Sequence, residues 1–236
     1  MTTVIYGKHP AFGDFLTAGL EPAALTQLEA WVQPCLTAVR DELGEGWETA
    51  WDTAPPLRVW IGADVLGVPL MGIWVPSWDK VGRRYPLIVG VAGYDTLPPI
   101  HPDHDEGFYV ALEGALRDLD ATTCAQGGVQ GLIEGIAMPP INGTVPQMRP
   151  TGMIWGQRAD GDLSRLMRDA RDTDAARAQL GRSHWWYPAG AGRDAGWMGT
   201  NGLPDARALR WLMAEVDTDT MPAQDDDGHA EEGGHR

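Results

Sequence analysis

Two adjacent arginines, Arg83 and Arg84, stand between a turn and an apolar run in the stretch VPSWDKVGRRYPL at residues 75–87. Successive residues of a strand point to opposite faces, so we expect one guanidinium to reach solvent and the other to turn toward the sheet. A guanidinium removed from water needs a carboxylate partner, and its planar fork can also donate to backbone carbonyl groups. The candidate partners are Asp79, across the turn, and Asp14, in the stretch GKHPAFGDF. The pattern predicts that these four residues build one polar corner.

Three roles for this corner are open from the sequence alone. In the first, one arginine is available to a partner protein, and the corner is a docking site. In the second, the protein is an enzyme or a small-ligand-binding protein that uses the same residues as an anion site. In the third, the arginines only form internal ion pairs that tie the first loop of the chain to the later strands, and mutating them would lower stability and binding together.

The densest group of potential metal ligands is the stretch HPDHDE at residues 101–106. A proline separates its two histidines, and the segment is typical of a loop before a helix, where Asp and Glu favour the helix N-terminus. No second motif with metal-ligand spacing accompanies it. We therefore expect neither a metal site nor a cofactor.

Residues that could act as catalytic nucleophiles lack the surroundings that this chemistry requires. No serine stands in the G-x-S-x-G turn of hydrolases, and Ser183 and His184 are adjacent, so on a strand their side chains diverge. Cys35 lies on the apolar stripe of a predicted helix, where a thiol stays protonated and inert. The glycine-rich stretches match neither of the common phosphate-binding patterns. The sequence therefore predicts a protein that is not an enzyme.

Tryptophan is abundant, with eleven residues, and two of them, Trp185 and Trp186, are adjacent. In a strand formed by SHWWYP the two rings point to opposite faces, so both are buried only when both faces of the sheet are covered. If one face is open, one ring belongs to an exposed protein-binding patch. Burial in the core and an interaction role both stay open for Trp185 and Trp186.

Hydrophobic periodicity places helices before and after a group of short strands. Three apolar runs between residues 57 and 94 are separated by short polar connections, which predicts an antiparallel meander. The helix before them should be split or kinked by Pro34. The later predicted elements are a helix at 108–119, a strand at 152–156, a helix at 162–180, strands at 183–188 and 196–200, and a helix at 204–215. This order favours an α/β fold with a mixed sheet and helices on both of its faces.

The formal net charge of −15 argues against nucleic acid as a partner, because phosphate binding requires clustered lysines and arginines. A protein surface is the expected partner instead. The sequence contains no apolar span long enough to cross a membrane and no signal peptide, so we expect no membrane insertion and a cytoplasmic location. Residues 217–236 carry seven acids and little that could be buried, which predicts a disordered acidic tail after one domain at 1–216.

Five stretches carry a resemblance in their order along the chain. They are GKHPAFGDF at 7–15, WETAWDTAPPLRVWIG at 47–62, GIWVPSWDKVGRRYPL at 72–87, the pair Trp185 and Trp186, and NGLP at 201–204. Together they resemble the TagF family, accessory proteins of bacterial type VI secretion systems, over most of residues 4–213. The element S-x-D-x-V-G-R-R-Y-P-L within the third stretch is the most specific part.

This resemblance implies a cytoplasmic, non-enzymatic regulator that holds the secretion apparatus inactive after translation. It implies binding to the forkhead-associated scaffold protein of the apparatus, in opposition to the threonine phosphorylation pathway that activates it. It also implies a three-layer α/β sandwich and supplies no catalytic residues. Two departures are visible: Tyr85 stands where the family usually has Phe, and TAGLEP at 17–22 lacks the Arg and the Leu-Pro that often follow Gly-Asp-Phe.

Overall fold

The computed structural model describes residues 1–94, 98–118, 121–135, 157–190 and 193–214. The elements in these ranges are β1 (Thr2–Gly7), β2 (Leu16–Ala18), α1 (Pro22–Leu43), a 3-10 turn (Gly44–Gly46), α2 (Trp47–Thr53), β3 (Leu57–Ile61), α3 (Ala63–Leu66), β4 (Leu70–Val75), β5 (Leu87–Ala92), α4 (Gly107–Asp118), α5 (Ala121–Gly135), α6 (Leu163–Gln179), β6 (Arg182–Tyr187), β7 (Gly196–Asn201) and α7 (Ala206–Met213). The strand predicted at 152–156 and the tail predicted at 217–236 lie outside the described residues.

The strands form one sheet in the order β2-β1-β5-β4-β3-β6-β7, and every described neighbouring pair is antiparallel. The predicted meander is confirmed as β3, β4 and β5. A mixed sheet is the expectation from the sequence, and the structure differs in this respect. The connection through α1 joins β2 to β3, which run in the same direction, but β1, β5 and β4 lie between them. No parallel pair therefore forms within the described sheet.

Helix α1 packs on one face of the sheet through a stripe of buried residues. They are Ala24, Leu28, Val32, Leu36 and Val39. Their spacing of three and four residues puts them on one side of the helix. The helix is continuous through Pro34, so the predicted split into two helices does not occur. Pro34 is exposed, and the carbonyl group whose helical hydrogen bond it removes can therefore be hydrated.

Helices cover both faces of the sheet, and each side encloses a hydrophobic core. The core beneath α1, α2 and α7 contains the fully buried rings of Trp51, Trp74 and Trp185. The core beneath α4 and α5 contains Tyr109 and Leu132. The α/β fold with helices on both faces is confirmed, and the layers form the sandwich that the family resemblance implies.

The adjacent tryptophans point to opposite faces of β6, and both are buried. Trp185 is fully buried, its ring centroid lies 5.4 Å from that of Trp31, and its Nε1 donates to Ser183 Oγ at 2.9 Å. Trp186 is 7% exposed on the opposite face, and its Nε1 donates to the carboxylate of Glu106 at 3.0 Å. Because helices cover both faces, neither ring is available to a partner in this structure, and the interaction role considered for this pair has no structural support.

Replacing either Trp185 or Trp186 with alanine is expected to lower the free energy of unfolding by about 3–5 kcal/mol, because each change leaves a large cavity in a core. Urea unfolding followed by circular dichroism measures this loss. Trp197→Ala is the matched control, since the Trp197 ring is 51% exposed. Its expected loss is about 1 kcal/mol or less. A core variant that unfolds at the wild-type urea concentration would contradict this account of the two cores.

Candidate functional site

Two loops meet at the end of the sheet where β1 and β4 finish and β5 begins. The first covers residues 8–15 and the second covers residues 76–86, and together they are called the loop pair. Their backbone hydrogen bonds run from the N–H of Lys8 to the carbonyl of Pro86 at 3.1 Å, and from the N–H of Lys80 to the carbonyl of Phe12 at 2.8 Å. The loop pair is thus one hydrogen-bonded unit, although its halves are far apart in the sequence.

Gly7, the last residue of β1, allows the two loops to approach each other. Its φ is +128°, which side-chain-bearing residues rarely adopt. A Cβ atom at this position would lie 1.9 Å from the carbonyl oxygen of Pro86. Only glycine fits both conditions, which explains the glycine in front of Lys8 in the stretch GKHPAFGDF.

The carboxylate of Asp79 is fully buried between the two loops. Its donors are Lys8 Nζ at 3.0 Å, Arg83 Nε at 2.6 Å, and the backbone N–H groups of Val81 at 3.1 Å and Arg83 at 2.9 Å. An ionised carboxylate has about four acceptor positions, so these contacts satisfy it. Since a buried charge is tolerated only when it is paired and hydrogen-bonded, the four donors hold the loop pair in this geometry.

These contacts hold the pKa of Asp79 well below its ordinary value of about 4. Burial by itself raises the pKa, because it disfavours the charged form. The hydrogen bonds from the Arg83 backbone, from the Lys8 and Arg83 side chains and from the Val81 backbone outweigh burial and lower it. The carboxylate therefore stays charged at neutral and mildly acidic pH.

Arg83 and Arg84 diverge from each other. Arg83 stays with the loop pair, where its Nη2 donates to the carbonyl of Gly13 at 3.1 Å. Arg84 points to α2, where its guanidinium bonds the carboxylate of Asp52 at 2.9 and 3.1 Å and lies 3.0 Å from that of Glu48. The structure therefore brings Arg83 and the buried carboxylate together and places Arg84 in a separate ion cluster.

Asp14 belongs to neither cluster. It is exposed and makes no ion pair within the described part of the chain. The first loop contributes Lys8 and the carbonyl of Gly13 instead, so the four residues predicted to build one corner do not do so. The prediction missed Lys8, since no spacing pattern connects it to its partner. It also missed Glu48 and Asp52, whose four-residue separation on a helix could have indicated a shared cation.

Tyr85, the departure from the family pattern, has a satisfied hydroxyl group. Its oxygen lies 2.7 Å from the hydroxyl oxygen of Tyr6, and its ring packs edge-on against Phe15 at 4.7 Å between centroids. Burial raises the pKa of Tyr85, so this hydroxyl remains protonated. The tyrosine therefore adds a hydrogen bond between the second loop and β1 that phenylalanine could not make.

Three large apolar side chains of the loop pair are exposed. Phe15 is 46% exposed, Trp78 is 46% exposed and Val81 is 73% exposed. Single exposed apolar residues are ordinary on protein surfaces, but these three lie on loops that one buried carboxylate holds in place. Such a surface is suited to protein docking, because aromatic side chains are enriched at interfaces. Sequence reasoning missed all three, since no periodicity distinguishes an exposed loop residue from a buried one.

The segment HPDHDE takes part in capping and ion pairing. Asp105 accepts a hydrogen bond from the N–H of Gly107 at 2.8 Å, at the start of α4. Glu106 pairs with the buried Arg58 at 2.6 Å. Among the described residues, no three His, Cys, Asp or Glu side chains lie close enough together to hold a metal ion. Within the same ranges, no helix is sufficiently long and apolar to cross a membrane.

Comparisons with known proteins agree with the resemblance in the sequence. The family model of the TagF N-terminal domain, type VI secretion system-associated, matches residues 4–132, more than half of the chain. The crystal structure of PA0076 from Pseudomonas aeruginosa PAO1 is similar with a TM-score of 0.64 and 26% sequence identity. That similarity covers 94% of this chain and 97% of the other. No curated protein matches the chain significantly.

Asp79→Asn is expected to be less stable than the wild type at about pH 6 and to show a weaker loss of stability on acidification. A carboxyl group with a depressed pKa contributes stability above its unfolded pKa of about 4, and this contribution is lost as the pH falls below that value. The free energy of unfolding in urea, measured at about pH 6 and about pH 3, should therefore fall more in the wild type than in the variant.

Asp14→Asn is the matched control, because Asp14 is an exposed carboxylate of the same loop pair with no described ion pair. At about pH 6 it should be as stable as the wild type, because the change removes no described ion pair. Equal stability of all three proteins at about pH 6, with equal losses on acidification in the wild type and Asp79→Asn, would show that Asp79 does not hold the loop pair.

Proposed function

The chain belongs to the family of TagF N-terminal domains, which are type VI secretion system-associated, and from this premise we propose that it restrains type VI secretion after translation. It does so as a cytoplasmic, non-enzymatic protein. Its partner is the forkhead-associated scaffold protein of the secretion apparatus. By occupying the scaffold it opposes the activation of the apparatus through threonine phosphorylation.

The observation that carries this proposal is the exposure of three large apolar side chains on the ordered loop pair, those of Phe15, Trp78 and Val81. The buried ion cluster orders the loops before any partner arrives, so little conformational entropy is lost on binding. Tryptophan in a desolvated interface is among the residues that contribute most to binding energy. The surface therefore has the composition and the rigidity of a protein-docking site.

The two ion clusters, that of Asp79 and that of Arg84, also support a non-enzymatic role. Asp79 accepts four hydrogen bonds and has a depressed pKa, so it is a poor general base. The guanidinium of Arg84 is engaged by two carboxylates, which leaves it little capacity to bind a substrate anion. Asp79 and Arg84 therefore stabilise the structure, and the exposed side chains of the loop pair contact the partner.

A second candidate function is a small-ligand or anion-binding protein, or an enzyme, that uses Asp14, Asp79, Arg83 and Arg84. One observation favours it: Arg40, Arg83 and Arg84 line a cleft of about 450 Å³. However, the predicted corner is divided between two clusters, and Arg84 is already paired with α2. The docking function is therefore the better supported of the two.

Size-exclusion chromatography with light scattering should give a stable complex when the protein is mixed with the forkhead-associated scaffold from the same secretion cluster. Trp78→Ala should weaken this complex about thirtyfold, the equivalent of about 2 kcal/mol for a central interface residue. Trp197→Ala is the matched control, because its ring is exposed to a similar degree, 51% against 46%, but lies on β7. Separate peaks for the two wild-type proteins at tens of micromolar would overturn the proposed function.

Inorganic phosphate tests the second candidate. The docking function predicts that millimolar phosphate leaves the melting temperature of the wild type and of Arg83→Ala equally unchanged. An anion site in the cleft would raise the melting temperature of the wild type by mass action, and this rise would be reduced in the variant. That result, together with the absence of a scaffold complex, would favour the anion-binding function.

A further inference from the structure

The distribution of lysine in this chain is uneven. The sequence contains only two lysines, Lys8 and Lys80, and both belong to the loop pair. Lys8 is buried, with 9% of its side chain exposed, and pairs with Asp79. Lys80 is exposed, and its side chain makes no ion pair among the described residues. The loop pair therefore holds the one exposed lysine of a chain with a formal net charge of −15.

Arg83 adds a second accessible cation beside Lys80. Its side chain is 63% exposed, although its Nε donates to Asp79 and its Nη2 to the carbonyl of Gly13. Its Nη1 has no partner in the described contacts. Since Lys8 and Arg83 share the single negative charge of Asp79, the buried cluster keeps an excess positive charge, and its exposed part is the guanidinium of Arg83.

The turn between these residues places the two cations next to exposed apolar side chains. The N–H of Asp79 donates to the carbonyl of Arg83 at 3.2 Å, and the N–H of Gly82 donates to the carbonyl of Asp79 at 2.9 Å, so residues 79–83 form a tight turn. The exposed side chains of this region are those of Trp78, Lys80, Val81 and Arg83, which are called the cationic rim. The rim thus combines positive charge with apolar surface.

The carboxylates near the rim do not neutralise it. Glu48 and Asp52 are bound to Arg84 on the side of α2. Asp79 is buried and saturated. Asp14 is exposed but has no described ion pair with either cation of the rim. The rim is therefore open to a negatively charged group from another molecule.

We propose that the cationic rim binds an acidic segment of the partner that carries at least one apolar side chain. This inference rests on the proposed function, and it names the chemistry by which the scaffold is recognised. A carboxylate of the partner pairs with Lys80 and with Nη1 of Arg83, whose planar fork suits such an acceptor. The apolar side chain of the partner covers Trp78 and Val81, which removes their apolar surface from water.

The charge of the rest of the chain gives this arrangement specificity. An acidic segment is repelled by most of a protein with a net charge of −15, so it is attracted only where cations are accessible. Electrostatic complementarity of this kind raises the rate of association and selects the orientation of the partner. Nucleic acid also carries negative charge, but it needs many clustered cations, which two rim residues do not supply.

Carbodiimide cross-linking tests the proposal on the complex with the scaffold, because this reagent joins carboxylates to amines that are in direct contact. Lys80 carries the one exposed lysine ammonium of the chain, since Lys8 is buried. The N-terminal amine lies at the opposite end of the sheet, where Thr2 pairs with Ala92. Mass spectrometry should identify a bond between Lys80 and an acidic residue of the scaffold. Lys80→Arg keeps the charge but removes the amine, so it should bind normally and lose this bond.

Charge reversal supplies a second and independent measurement. Lys80→Glu should weaken the complex about tenfold at low ionic strength, and the difference from wild type should shrink as salt screens the interaction. Arg182→Glu is the matched control, because Arg182 is an exposed cation at the start of β6, at the other end of the sheet. It should bind like the wild type, and both variants should keep the wild-type melting temperature.

The outcomes separate this inference from the proposed function. A complex in which Lys80 is not cross-linked and in which Lys80→Glu binds like the wild type would overturn the acidic-segment proposal and leave the scaffold as the partner. The absence of any complex would overturn both. A Lys80 cross-link together with the loss on charge reversal would support both.

Discussion

The buried carboxylate of Asp79 is the interaction on which the loop pair depends. A charge that is taken out of water is tolerated only when its hydrogen-bonding capacity is filled, and here four donors converge on it. Three of them come from the turn that follows Asp79, namely the backbone N–H groups of Val81 and Arg83 and the Nε of Arg83. The fourth comes from Lys8, which directly follows β1. The same carboxylate therefore shapes the turn and anchors it to the first loop, so the two loops cannot move independently without exposing an unpaired charge.

The layered fold explains why recognition is expected at the end of the sheet. Helices cover both faces, so side chains that point up or down from the central strands, such as Trp185 and Trp186, are enclosed in the cores. Backbone connections at the ends of strands lie outside these layers and can present side chains to solvent. The first and third of the stretches that carry the family resemblance meet at this end. Their shared position follows from their contacts with Asp79 and needs no common sequence pattern.

The sequence was informative wherever a local rule decides the structure. Strand alternation predicted the opposite directions of Trp185 and Trp186, and short connections predicted the meander. It was uninformative wherever distant segments decide the structure. The prediction of a mixed sheet was wrong because the sequence has no local signal for the direction of strands that long connections join. In the structure α1 connects β2 to β3, and these two strands are separated by β1, β5 and β4, so they do not form a parallel pair. The corner was misassigned in part because a carboxylate can be matched by several cations, and only the fold brings Lys8, rather than Arg84, to Asp79.

The buried and the exposed charged residues of the loop pair differ in what they contribute to the protein. Lys8 and Asp79 are buried, so changing either alters stability and the shape of the loop pair together. Lys80 is exposed and its side chain has no described ion pair, so its charge contributes little to folding and is free to act in recognition. Arg83 belongs to both groups, since its Nε anchors the turn while most of its side chain faces solvent. The anchored turn therefore holds the accessible cations Lys80 and Arg83 at one defined place on a protein of high negative charge, as the proposed recognition of an acidic segment requires.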